Sequence, residues 1–253
     1  MEYAKAHIQS AEKFYDGISG FYEKMIDFEK NLELRRTAYG KIFDKPGTAA
    51  DMGCGVGLDS LALALNGHKV SAFDISSQMI EETKLNAEKY GAQINTSVNS
   101  FHSVSKNYYS KFDYALSVGN TIAHLERKNL ALALKKMYNM LLPGGKIFLH
   151  ILNYDLIRKE GKRINNIAVR DGRTIIRFYD FGKDNLDFNI LTFLNDSPKN
   201  FTISTTKHYP HKKNEIEVQL KKNGFGRIKF MKNFSGEKFQ PANSKDIFVS
   251  AVK

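Results

Sequence analysis

The sequence predicts an α/β fold: a doubly wound, seven-stranded, mostly parallel sheet, preceded by helices and interrupted by an inserted antiparallel β cap. Three observations predict it. Short apolar runs alternate with amphipathic stretches from residue 46 to about 155, which implies parallel strands covered by helices on both faces. A glycine-rich turn stands where the first of these strands hands over to a helix. Beyond residue 155 the helical periodicity gives way to β-rich runs separated by hairpin signals.

Taken in order, residues 5–43 read as helices, because Phe14, Tyr15, Ile18, Phe21, Tyr22, Met25 and Ile26 recur at helical spacing. Pro46-Gly47 ends that region. Thr48 to Met52 is a first strand, and 58–66 a helix stopped at Asn66-Gly67. Lys69 to Phe73 is a second strand, and 77–90 a helix stopped by Gly91. Residues 94–99 suit a third strand and Phe112 to Val118 a fourth, followed by a helix over 121–141. Leu142-Pro143-Gly144-Gly145 reads as a turn before a fifth strand, Lys146 to Leu152. Asp171-Gly172 and Asp184-Asn185 then divide the runs of 163–209 into hairpins. A helix over 213–223 and strands near 226–232 and 246–252 complete the sheet. The expected organisation is an N-terminal helical segment (1–45), a core (46–155 and 212–253) and an inserted antiparallel cap (156–211).

Composition is that of an ordinary globular chain, 42% apolar and 26% charged over 253 residues. No apolar run approaches the ~20 residues needed to span a bilayer. The opening Met1-Glu2-Tyr3-Ala4-Lys5 lacks the apolar stretch of a signal peptide. A single cysteine, Cys54, forms no internal disulfide, and a reducing cytoplasm is the expected setting. Net charge is +11, but lysines are scattered among acids, which reads as a solvated basic surface rather than a nucleic-acid footprint. The histidines at 7, 68, 102, 124, 150, 208 and 211 show no metal-ligand spacing, so no metal is expected.

The most informative residues are Asp51-Met52-Gly53-Cys54-Gly55-Val56-Gly57, at the strand-to-helix turn. Glycines there let the backbone approach a ligand. The spacing excludes the dinucleotide fingerprint, whose third glycine would fall at Leu58. Asp74 ends the second strand, where an ionised carboxylate can accept hydrogen bonds from both hydroxyls of a ribose. Capping of the helix after Ser76-Ser77 is the alternative role for Asp74.

The Asp-x-Gly-x-Gly-x-Gly loop followed by Asp74 resembles the class I S-adenosylmethionine-dependent methyltransferases, over residues 46 to about 155 and in the terminal strand pair. The resemblance implies a Rossmann-like fold and S-adenosyl-L-methionine as cofactor. It implies cofactor contacts from the loop at Asp51, Gly53, Cys54 and Gly55, from Asp74 and the adjoining Ile75, and from Val118 at the end of the fourth strand. Met79 stands where the family flanks the adenine; ordinary helix packing is its alternative. In Val98-Asn99-Ser100-Phe101, Ser100 replaces the family's frequent acid, leaving Ser100 and Phe101 to meet the adenine more weakly or through the backbone.

Gly119-Asn120-Thr121-Ile122-Ala123-His124-Leu125 is similar to the Gly-Asn-Ser-Phe-Ala-His-Leu of the glycine and glycine/sarcosine N-methyltransferases. Gly57-Leu58-Asp59-Ser60, Arg36-Thr37-Ala38, Asn153-Tyr154-Asp155 and Tyr209-Pro210-His211 match that branch in the same order. The resemblance implies that Arg36 pairs with the cofactor's methionine carboxylate. It implies that Tyr22 or Tyr15 lies near the sulfonium. It further implies that Asn120 orients an acceptor amine through its amide or backbone carbonyl, and that His124 and Tyr209 line the acceptor pocket. Leu152 departs from the branch, which has an arginine there to grip the acceptor carboxylate; a leucine cannot do so, which weighs against glycine itself and favours an acceptor that lacks the carboxylate or is held through another cation such as Arg163 or Arg170. The expectation is direct methyl transfer to a small molecule, an amine nitrogen, with glycine/sarcosine methylation and nucleic-acid methylation as rivals. A homo-oligomer stays open. The chain lacks both the Asp/Asn-Pro-Pro-aromatic motif and a Pro-Cys pair, which speaks against base methylation.

Overall fold

The computed structural model describes residues 7–43 and 45–253; residues 5 and 6, where the expected helical stretch begins, lie outside the described residues. A two-residue strand β1 (Ile8–Gln9) precedes helices α1 (Ala11–Ile26) and α2 (Phe28–Ile42). Ser10 starts α1 by accepting the Lys13 amide on its hydroxyl at 3.3 Å. The two helices separate at Asp27, whose φ of 54° is left-handed. They bury Phe14, Ile18 and Met25 on one and Phe28, Leu32 and Tyr39 on the other.

The core follows as β2 (Thr48–Met52), α3 (Leu58–Leu65), β3 (Lys69–Asp74), α4 (Ser77–Lys89), β4 (Ile94–Val98), β5 (Phe112–Ser117), α5 (Arg127–Met140), β6 (Leu141–Leu152) and α6 (Tyr154–Glu160). The chain then inserts β7 (Ile164–Arg170), β8 (Arg173–Phe181), β9 (Leu186–Leu194) and β10 (Thr202–His208) before α7 (Lys213–Lys222), β11 (Gly226–Met231) and β12 (Asp246–Val252). The seven-stranded sheet runs β11-β12-β6-β5-β2-β3-β4. β2 to β6 are mutually parallel, whereas β12 runs antiparallel to both β6 and β11. From β2 the chain winds outward through β3 and β4, then returns to β5 on the other side. This reversal between β2 and β5 opens a crevice at the carboxyl ends of the strands, the usual ligand position in a doubly wound sheet.

Three local readings change. Ile8 and Gln9, expected to be helical, instead pair as a strand with Thr205 and Thr206 of β10. Leu142–Gly145 is not a free turn but a bulge within β6: Phe112 pairs with Leu141 and the register resumes only at Tyr114 and Lys146. The left-handed Gly144 (φ 78°) absorbs the extra residues. The expected helix over 121–141 begins as a 3-10 turn, Thr121–His124, and becomes α-helical only at Arg127.

The inserted strands form their own sheet, β1-β10-β9-β8-β7, in which β1 runs parallel to β10. Ile175, Tyr179, Phe188 and Ile190 on its inner face join the same apolar core as Phe14, Met52 and Leu116. Ile167, Val169, Phe201 and Ile203 are exposed. Among the described residues, no helix is long and apolar enough to cross a membrane, and no group of three or more His, Cys, Asp or Glu could hold a metal ion.

Candidate active site

A cavity of about 600 Å³ opens at the β2–β5 crevice, within the range of small-ligand sites. Its floor is the turn after β2. The Gly53 and Cys54 amides donate to the Phe73 carbonyl at 2.7 and 3.0 Å, fastening the turn to the end of β3. Gly53 has a φ of 82°, and a Cβ there would fall 2.1 Å from Thr121 Cγ2. At Gly55 a Cβ would have only Tyr22 Cε1 near it, at 3.9 Å, and would stand in the cavity itself. Omitting that side chain leaves a cradle of bare backbone, which fits close approach by a cofactor.

Asp74 occupies the tip of β3. Its Oδ2 accepts the Gly55 amide at 2.8 Å and its Oδ1 the Ser76 amide at 2.9 Å, so one carboxylate fixes both the turn and the start of α4. Burial pushes this carboxyl up, and the amides of Ser76, Gly55 and Ile75 pull it back down. Helix capping falls to Ser76, whose hydroxyl accepts the Met79 amide at 3.1 Å. Ile75, over a third exposed, and Asn99, Ser100 and Phe101 after β4 complete this side of the cavity. The Ser100 hydroxyl accepts the amides of His102 and Ser103 at 3.2 and 3.1 Å, stiffening that turn.

The opposite wall is aromatic. Tyr15 and Tyr22 of α1 meet edge to face at 5.9 Å, and the Tyr15 hydroxyl shares a 2.9 Å hydrogen bond with His124 Nε2. His124 stands edge-on to His208 at 4.6 Å, and His208 Nδ1 is 2.9 Å from the Tyr154 hydroxyl. Burial lowers His124 to about 4 and raises Tyr22 to about 12, so at neutral pH this wall carries no ionised group. The inserted sheet closes the top with Asn166, Ala168, Arg170 and Arg177.

Of the residues singled out from sequence, Tyr22, Gly53, Cys54, Gly55, Asp74, Ile75, Ser100, Phe101, Val118 and His124 line this cavity. Five do not. Asp51 lies beneath the turn, fully buried and held by the Ser60 hydroxyl at 2.7 Å; burial, and after it the charge of Asp59, push its carboxyl up. Met79 is 0% exposed and packs in the core, the alternative role weighed for it. Arg36 does not line the cavity and pairs with Glu33 at 2.9 Å, although its Nε is buried without a partner, while its neighbour Arg35 reaches the cavity wall. Arg35 lies 2.8 Å from Asp59 and 4.1 Å over the Phe234 ring.

Asn120 is buried with its amide engaged in both directions: Nδ2 donates to the Tyr154 hydroxyl at 2.8 Å and Oδ1 accepts the Leu152 amide at 3.0 Å. Its carbonyl accepts the Ala123 amide at 3.0 Å. It ties the ends of β5 and β6 together rather than facing a ligand. Tyr209 donates its amide to the Ala123 carbonyl at 2.6 Å and does not line the cavity. Leu152 packs against the core. Burial raises the Cys54 thiol, which suppresses the thiolate. Arg35, Thr121, Asn166 and Arg177 were not identified as site residues from sequence.

Residues 49–145 match a family model described as a methyltransferase domain. The glycine/sarcosine N-methyltransferase of Aphanothece halophytica is 30% identical over 155 residues, 57% of this chain and 57% of that one. The ubiquinone biosynthesis O-methyltransferase of Xanthomonas axonopodis pv. citri is 29% identical over 103 residues, 41% of this chain and 42% of that one. The chain thus spans about half the length of the curated relatives it matches. An S-adenosylmethionine-dependent methyltransferase from Clostridium acetobutylicum shares the fold, with a TM-score of 0.76 at 18% identity over 94% of this chain and 98% of that one.

Proposed function

We propose that this chain is a class I S-adenosylmethionine-dependent methyltransferase that methylates an amine nitrogen of a small molecule, with S-adenosyl-L-methionine as cofactor. When bound, the cofactor supplies an activated methyl group on its sulfonium sulfur. Asp74 would hold the ribose hydroxyls, the bare backbone of the turn would receive the methionine part, and Ile75 with Phe101 would flank the adenine.

The observation that carries the amine reading is the Tyr15–Tyr22–His124 wall. Its aromatic faces favour a cationic centre, which both the sulfonium and a methylated ammonium provide. A His124 held at about 4 is a poor proton acceptor at pH 7, so the amine must arrive unprotonated and the wall's work is alignment and exclusion of water. Holding the reacting atoms in line can lower the barrier by up to ~7–11 kcal/mol. Leu152, packed against the core, offers no cation at the end of β6, which speaks against glycine gripped there by its carboxylate as in the glycine N-methyltransferase branch. The single buried cysteine fits a cytoplasmic setting.

The test is a panel of small amines and alcohols, assayed for S-adenosylhomocysteine release with the product located by mass spectrometry. Methylation at nitrogen is expected, with glycine and sarcosine poor acceptors. Turnover confined to hydroxyl acceptors would overturn the amine reading.

A further inference from the structure

The roof of the cavity holds a cation that the protein itself leaves unanswered. Arg177 lies on β8 between Ile175 and Tyr179, two residues buried in the core, so strand alternation turns its side chain inward. Its cross-strand neighbours are Asn166 on β7, which also lines the cavity, and Ile190 on β9. Among the described residues its guanidinium makes neither an ion pair nor a hydrogen bond, and its Nε is buried with no partner. Burial pulls its pKa down, the mark of a charge placed where the protein does not welcome it, although a guanidinium stays protonated at any physiological pH.

The other arginines around the cavity are engaged. Arg35 is 2.8 Å from Asp59, and the half-exposed Arg170 faces Asp27 at 3.8 Å. Arg173, on the same face of β8 but outside the cavity, donates to the Thr192 hydroxyl at 3.4 Å. An unpaired, partly buried guanidinium is unfavourable until an anion meets it, and a planar fork suits carboxylate or phosphate oxygens. The core supplies the cradle and the carboxylate that fit the cofactor, whereas Arg177 belongs to the inserted sheet across the cavity.

We propose that Arg177 receives an anionic group, a carboxylate or a phosphate, carried by the methyl acceptor, so that the acceptor class is an anion-bearing amine; this rests on the amine reading above. Tyr22, close enough to feel the Arg177 charge, sets the anion near the aromatic wall at which the amine would sit.

Calorimetry on protein saturated with S-adenosylhomocysteine tests it, with two matched pairs of probes: 4-aminobutyrate against its amide, and glucosamine 6-phosphate against glucosamine. The intact protein should bind the charged member of one pair at least tenfold more tightly, and the pair that discriminates names the anion. Arg177→Met should abolish that preference while leaving S-adenosylhomocysteine affinity within about twofold, and Arg177→Lys should keep part of it. Three results would overturn the proposal: no preference in either pair, a preference that survives Arg177→Met, or a loss of S-adenosylhomocysteine affinity in both variants, which would give Arg177 to the cofactor. Should Arg177→Met fail to fold, the intact protein and Arg177→Lys still decide. Charged probes that bind through Arg177 while only hydroxyls are methylated would defeat the amine reading and leave this assignment standing.

Discussion

Gly53 shows how little freedom one backbone position in the turn has. Its φ of 82° is a region other residues enter at a cost of about 1–2 kcal/mol, and a Cβ there would collide with Thr121. Gly53→Ala should therefore lower the urea midpoint by more than the φ cost alone. Adding Thr121→Ala should return the part due to collision but not the part due to φ. A Gly53→Ala protein as stable as its parent would contradict this account of the turn. The adjacent pair Arg35 and Arg36 illustrates what sequence cannot resolve at this scale. Neighbouring helix residues point about 100° apart, and which of the two faces the cavity depends on Phe234, which lies almost two hundred positions away and under the Arg35 guanidinium.

At the scale of elements, the strands and helices of the core were legible because each carries its own period and its own stop signal, as in Asn66-Gly67 after α3 or Asp171-Gly172 between β7 and β8. The glycine turn and Asp74 were legible for a related reason: they lie at the ends of consecutive strands, so local order already brings them together. The break between α1 and α2 was not, since Asp27 adopts a left-handed conformation without a glycine or proline to announce it. Arg177 was hidden by β8 itself. Both faces of that strand are apolar, Ile175 and Tyr179 on one and Ile176 and Phe178 on the other, so alternation alone does not say which face is inward. Asn120 was placed at the right turn, but its two-way amide pairing with Tyr154 and Leu152 depends on strand β6 and helix α6, which meet it only in the folded chain.

Across the whole molecule, two buried histidines couple stability to acidity. His124 and His208 meet edge to face where the core meets the inserted sheet; burial lowers both, and a charge on His124 lowers His208 further. With His124 at about 4 in the fold and ~6.5 when unfolded, the unfolded chain binds the extra proton between those limits. The stabilising share of the neutral ring is complete above pH ~6.5 and disappears as pH falls toward 4, amounting to ~3 kcal/mol for His124 alone. Urea denaturation should show stability dropping from pH 7 to pH 4.5, and less steeply in His124→Gln. An equal slope in that variant would assign the pH response elsewhere.

The central claim is that the crevice between β2 and β5 is an adenosyl site gripped by the carboxylate at the tip of β3. Isothermal titration with S-adenosylhomocysteine reads it directly. One molecule should bind per chain, and Asp74→Ala should weaken that affinity at least tenfold. Absence of binding to the intact protein, or the same affinity in Asp74→Ala, would contradict it.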